Sequence, residues 1–157
     1  MPQAPSLAVI DAAVPHPDLL TAGASPDIAM VHLAGPERTD QVETALAAVG
    51  HPVDELHIVS HGAPGRLTIG GETLDGRALA ARGRRWRRSL APDATIVLYG
   101  CSTGRGAAGR ALVRELAHAT GARVLASSTP TGAAARGGDW KFDIATGPAR
   151  TPSGRAC

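Results

Sequence analysis

Two short apolar runs constrain this chain more than anything else in it. Leu56-His57-Ile58-Val59 leads into Ser60-His61-Gly62, and Ala94-Thr95-Ile96-Val97-Leu98 leads into Tyr99-Gly100-Cys101. Each stops at a reactive side chain beside a glycine. Apolar runs of this kind, alternating with segments of helical periodicity, specify a parallel sheet with crossover helices. Such sheets deliver the residues at their carboxyl ends to one crevice. If the two strands are neighbours, an imidazole and a thiol share a rim, which is the minimum equipment for a cysteine nucleophile with a histidine base.

The rest of the chain fits the same pattern. Strands are predicted at Leu7–Asp11, Asp27–Leu33, Glu55–Ser60, Thr95–Tyr99 and Ala122–Ser127, with Asp139–Ile144 as a sixth, edge strand. A helical turn is expected at His16–Ala22, and Val42, Leu46 and Val49 carry the apolar face of a helix over Glu37–Val49. Arg66–Leu74 reads as a hairpin folded at Gly70-Gly71. Asp75 is placed to cap a helix reaching about Leu90, with Leu79, Gly83, Trp86 and Leu90 as its buried stripe. A second long helix spans Gly106–Thr120 and stops at Gly121. The expected architecture is an α/β three-layer αβα sandwich around a mainly parallel sheet, with the first strand central and helices on both faces. Residues 1–146 would form one domain and 147–157 a flexible tail rich in Gly, Pro, Thr and Ser.

At 157 residues the chain has room for one compact domain. Its net charge of +2 implies no bulk polyanionic partner. Arg82-Gly83-Arg84-Arg85-Trp86-Arg87-Arg88 invites a nucleic-acid reading, but Trp86 falls on the apolar stripe and the arginines then form a solvated helix face. Neither nucleic acid nor a membrane is therefore expected as a partner. No run approaches the length of a membrane span, and the start lacks the basic stretch and apolar core of a signal peptide. If this is the whole chain, it is expected in the cytoplasm. Two cysteines exclude a disulfide scaffold and a four-thiolate metal site. The histidines are scattered, and His57 and His61 on one strand would lie about 13 Å apart, so no metal is expected. No cofactor is required. Oligomeric state is not legible.

The chemistry at the two strand ends can be stated more closely. A thiol attacks as thiolate, with a neighbouring imidazole as base or stabilising charge. Gly62 lets backbone N–H groups approach a substrate carbonyl, and the N–H of Cys101 is a second candidate oxyanion donor. The start of the following helix would lower the thiol pKa. A competing motif overlaps the same place: Gly100-Cys101-Ser102-Thr103-Gly104 matches G-x-S-x-G, the nucleophile elbow of α/β-hydrolases, in which Ser102 attacks. That arrangement needs an acid and then a histidine after the serine. The only later histidine is His118, within the second long helix and before the candidate acids Asp139 and Asp143. For a peptidase, Asp11 at the end of the first strand, or Asp139 beside Trp140, could hold a basic residue before the cut. Ser127 and Ser128, at the tip of the fifth strand, could line the cleft.

Ile10-Asp11-Ala12-Ala13-Val14, His57-Ile58-Val59-Ser60-His61-Gly62, Leu98-Tyr99-Gly100-Cys101, Ala126-Ser127-Ser128-Thr129 and Gly137-Gly138-Asp139-Trp140 together resemble the bacterial domain family DUF4347 over about Leu7–Phe142. That domain often heads very large secreted adhesin-like proteins. It looks like a distant relative of the caspase–gingipain–clostripain cysteine peptidases. The resemblance implies a caspase-like fold, with His61 as dyad base and Cys101 as nucleophile. It further implies a cysteine endopeptidase or self-processing protease domain acting on a protein or peptide, including its own flanks. Arg150 and Arg155 in the tail are candidate self-cleavage points. A catalytically silent binding or assembly module is the alternative. Two departures stand out: Ser102 follows the cysteine where the family usually has an acidic residue, and no adhesin repeats follow in this sequence.

Overall fold

The computed structural model describes residues 6–11, 28–33, 40–50, 52–69, 72–99, 102–126 and 144–145. Their order is β1 (Ser6–Asp11), β2 (Ile28–Leu33), α1 (Asp40–Val49), β3 (Val53–Val59), β4 (His61–Ala63), β5 (Arg66–Ile69), β6 (Glu72–Asp75), α2 (Gly76–Trp86), a 3-10 turn (Arg87–Ser89), β7 (Leu90–Leu98), α3 (Gly106–Thr120), β8 (Arg123–Ala126) and β9 (Ile144–Ala145). The expected mixed α/β architecture is present. The main sheet runs β2-β1-β3-β7-β8-β9, parallel throughout except for β9, which pairs antiparallel at the edge.

The first strand is not central. It lies one position in from the β2 edge, and the innermost pair is β3 and β7. Only β2 lies on the far side of β1; the chain then returns past β1 to add β3, and β7, β8 and β9 extend the sheet in that direction.

Strand residues alternate between faces, and the two faces separate cleanly. Leu7, Val9, Leu56, Ile58, Ile96, Leu98 and Val124 pack in one cluster with Val42 and Leu46 of α1, Leu79 and Trp86 of α2, and Leu112 and Leu116 of α3. The other face presents Ile10, Val59, Val97, Tyr99 and Leu125. Burial on both faces accounts for the near-continuous apolar runs. Each fully buried aliphatic side chain contributes about 1.5–3 kcal/mol of hydrophobic stabilisation. All three described helices cover the first face. The helical turn expected at His16–Ala22 falls outside the described residues.

Local sequence explains where the helices begin and end. Asp75 caps α2 by accepting from the Ala78 N–H at 2.8 Å. The helix stops at Trp86 rather than Leu90, because Pro92 disfavours helical backbone at Ala91, and Leu90 is already extended at φ −105°, ψ 142°. It therefore opens β7, which is longer than predicted. α3 has its predicted span and ends on Gly121 in the left-handed region at φ 74°.

Candidate functional site

Parallel strands bring their carboxyl ends to one edge, and the register shows which residues share it. Ile58 pairs with Leu98, and Ile10 pairs with Val59. His61 and Cys101 each stand three positions beyond the Ile58–Leu98 pair along their own chains. Asp11, the last residue of β1, follows Ile10 at the same edge. The side chain of Asp11, and all of Gly100, Cys101, Ser127 and Asp139, lie outside the described residues.

His61 is not the tip of the third strand, as the sequence suggested. β3 ends at Val59, Ser60 intervenes, and His61 opens β4, the edge strand of a second, antiparallel sheet β4-β5-β6. The predicted hairpin β5–β6 therefore gains a third strand in register His61↔Thr68 and Ala63↔Arg66. The His61 side chain is exposed. Gly62 follows it in β4 and is half-buried.

Backbone hydrogen bonds tie the chain on either side of Cys101 to the chain on either side of His61. Upstream of the cysteine, the Tyr99 N–H donates to the Ile58 carbonyl at 2.9 Å. Downstream, the Gly65 N–H donates to the Thr103 carbonyl at 3.0 Å. The Thr103 hydroxyl, fully buried, donates to the Arg66 carbonyl at 3.2 Å. The turn is closed by the Arg105 N–H on the Ser102 carbonyl at 2.9 Å. Gly65 is needed here: its φ is +70°, and a Cβ would sit 2.6 Å from that of Ala108 in the first turn of α3. This turn occupies the chain between Cys101 and the start of α3 at Gly106.

Beneath the rim lies a polar network that the sequence reading did not single out. His57 is 1% exposed and Glu55 2% exposed. Glu55 Oε1 lies 3.1 Å from His57 Nε2, and His57 Nδ1 lies 2.8 Å from the Tyr99 hydroxyl. A carboxylate at Glu55 accepts from Nε2–H, while Nδ1 pairs with the Tyr99 hydroxyl, a group that can donate or accept. The signal was parity: Glu55 and His57 share a face of β3, and His57↔Val97 register puts Tyr99, two further on, on the same face. Tyr99→Phe should leave Nδ1 buried without that partner, at a cost of about 1–3 kcal/mol. Urea unfolding should show a lower midpoint at unchanged slope. An unchanged midpoint would mean that His57 draws on another partner.

The remaining sequence candidates are widely spread. Trp86 is fully buried while Arg84, Arg85, Arg87 and Arg88 are exposed, as the stripe implied. His118 is exposed near the far end of α3. Among the described residues no helix is long and apolar enough to cross a membrane. Comparison with curated proteins finds no match. A family model does match, over residues 7–155, running beyond Phe142 into the segment that follows Gly147. With nearly its whole length matched, the chain belongs to the DUF4347 family, a domain of unknown function.

Proposed function

We propose that this protein is a cysteine endopeptidase, or a self-processing protease domain, of the caspase-like type. Cys101 would be its nucleophile and His61 its base. One observation carries the reading: the residues flanking Cys101 are hydrogen-bonded on both sides to the residues flanking His61, through Tyr99–Ile58 and through Thr103 with Gly65 and Arg66. A linkage of this kind fixes two chain segments against each other, as preorganised catalysis requires.

In this reading the Cys101 thiolate attacks the scissile carbonyl and forms a C–S bond. His61 gives its proton to the departing amine as the C–N bond breaks. It then takes a proton from water, whose oxygen attacks the thioester; the C–S bond breaks and the thiolate is returned. Antiparallel pairing supports Gly62 as an oxyanion donor. A two-residue turn closing on Ala63 and Arg66 makes His61–Thr68 the next hydrogen-bonded pair, so the Gly62 N–H points away from β5 on an edge strand. Asp11, on the same rim, would hold a basic side chain before the cut; Ser127 and Asp139 remain candidates for the cleft wall.

A second reading has its own observation. Among the described residues Ser102 is the only non-glycine with positive φ, at 56°, and it is the serine of the G-x-S-x-G match. A strained residue between strand and helix suits a nucleophile. Its histidine is the obstacle: His118 lies twelve residues beyond the start of α3, about 18 Å along the axis. Labelling separates the readings. A peptide-based thiol electrophile should modify Cys101 in preference to Cys157, seen by mass spectrometry of wild type beside Cys101→Ala. Modification at Cys157 alone would favour a silent binding module, and fluorophosphonate capture at Ser102 would favour the serine hydrolase.

A further inference from the structure

The strongest feature outside that rim is an open groove of about 1300 Å³ along α2 and α3. It reaches the starts of β7 and β8, at Pro92–Ala94 and Gly121–Arg123, and so lies toward the opposite edge of the sheet from Ser60 and Tyr99. Its floor is made of small side chains: Ala80, Ala119 and Ala122 are buried, and Ala81 and Ala117 also line it. Its walls are cationic. Arg77 and Arg84 stand seven residues apart on α2, two turns or about 10.5 Å, and Arg87 continues the wall. Arg114 and His118, one turn apart, face the groove from α3, and Arg123 closes it from β8.

Five guanidiniums thus meet only two carboxylates in the groove, Asp93 and Glu115. None of the five makes a hydrogen bond or ion pair among the described residues. Among the described residues, cationic side chains are concentrated on this one concave face of a chain whose net charge is only +2. Guanidinium forks pair bidentately with carboxylates and phosphates, so the occupant is an anion.

The groove's shape and lining decide which polyanion. Single-stranded nucleic acid is gripped by stacking its bases on aromatic rings; among the described residues no Trp, Tyr or Phe lines this groove, Trp86 and Tyr99 being buried, and His118 is its one ring. Duplex DNA is read by an element that protrudes into it, whereas these arginines wall a concavity floored with methyl groups. We infer that the α2–α3 groove is a docking site for an acidic peptide segment, whose carboxylates pair with Arg77, Arg84, Arg87, Arg114 and Arg123 while its backbone lies over the alanine floor.

A fluorescein-labelled glutamate-rich 12-residue peptide provides the test, by anisotropy at low and physiological salt. Binding should weaken with salt. The double charge reversal Arg84→Glu/Arg114→Glu should weaken it about tenfold or more. Arg85→Glu/Arg88→Glu makes the same charge change outside the groove, and should cost less than about threefold. Circular dichroism and urea midpoints check that both variants fold. Cys101→Ala should bind like wild type, which separates this surface from the peptidase proposal. Equal losses in the two double variants, no binding at low salt, or tighter binding of an oligonucleotide of equal charge would each overturn it.

Discussion

His61→Ala should lower peptide cleavage by about two to four orders of magnitude, the usual contribution of a positioned general acid–base. It should also abolish electrophile labelling at Cys101 while leaving Cys157 reactive. The second effect is the more diagnostic. A histidine that merely supported the fold would depress both cysteines' surroundings or neither, whereas a base acts on the thiol within its reach. His61 is well suited to the comparison because it is exposed on an edge strand. Truncating it creates no cavity, and exposed substitutions of this kind usually shift stability by less than about 0.5 kcal/mol. Unfolding midpoints should therefore match wild type. Retained labelling at Cys101 in a folded His61→Ala protein would remove the dyad and leave the silent module as the better account.

What could be read from the sequence divides along physical lines. Strong periodicity and strong stop signals gave the long elements: α3 has its expected ends because Leu112, Val113 and Leu116 repeat at helical spacing and Gly121 ends the helix. Asp75 was legible as a cap because the residue type names the role. Elements decided by tertiary pairing were not. His61–Ala63 becomes a strand only because β5 lies beside it, and three residues carry no period of their own. The place of β1 within the sheet depends on the direction each crossover takes, which local sequence does not encode. The Thr103 contacts with Gly65 and Arg66 join residues about forty positions apart, and no spacing rule reaches that far. The adjacency that the candidate pair requires was legible, since parallel strands of this kind are laid side by side and β3 and β7 are neighbours.

The junction that holds those ends together makes the other large prediction, at Gly109. Helix propensity alone says that Gly109→Ala inside α3 should stabilise the protein, by about 0.5–1 kcal/mol. Packing says the opposite. A Cβ at Gly109 would lie 2.1 Å from the carbonyl carbon of Gly104 and 2.5 Å from its oxygen. These are backbone atoms of the turn that follows Cys101, so no side-chain rotation relieves the clash, and either the turn or the helix must move. Overpacking of this kind costs about 1–3 kcal/mol or more, enough to outweigh the propensity gain. Because Thr103 in that turn is bonded to the hairpin next to His61, the displacement should also reduce Cys101 labelling. Gly121→Ala is the matched comparison: it sits in the left-handed region with nothing within 4 Å of the added carbon. It should cost only about 1 kcal/mol and leave labelling intact. A Gly109→Ala protein as stable and as reactive as wild type would mean that the turn yields freely, and that the clasp around Thr103 does not set the position of the thiol.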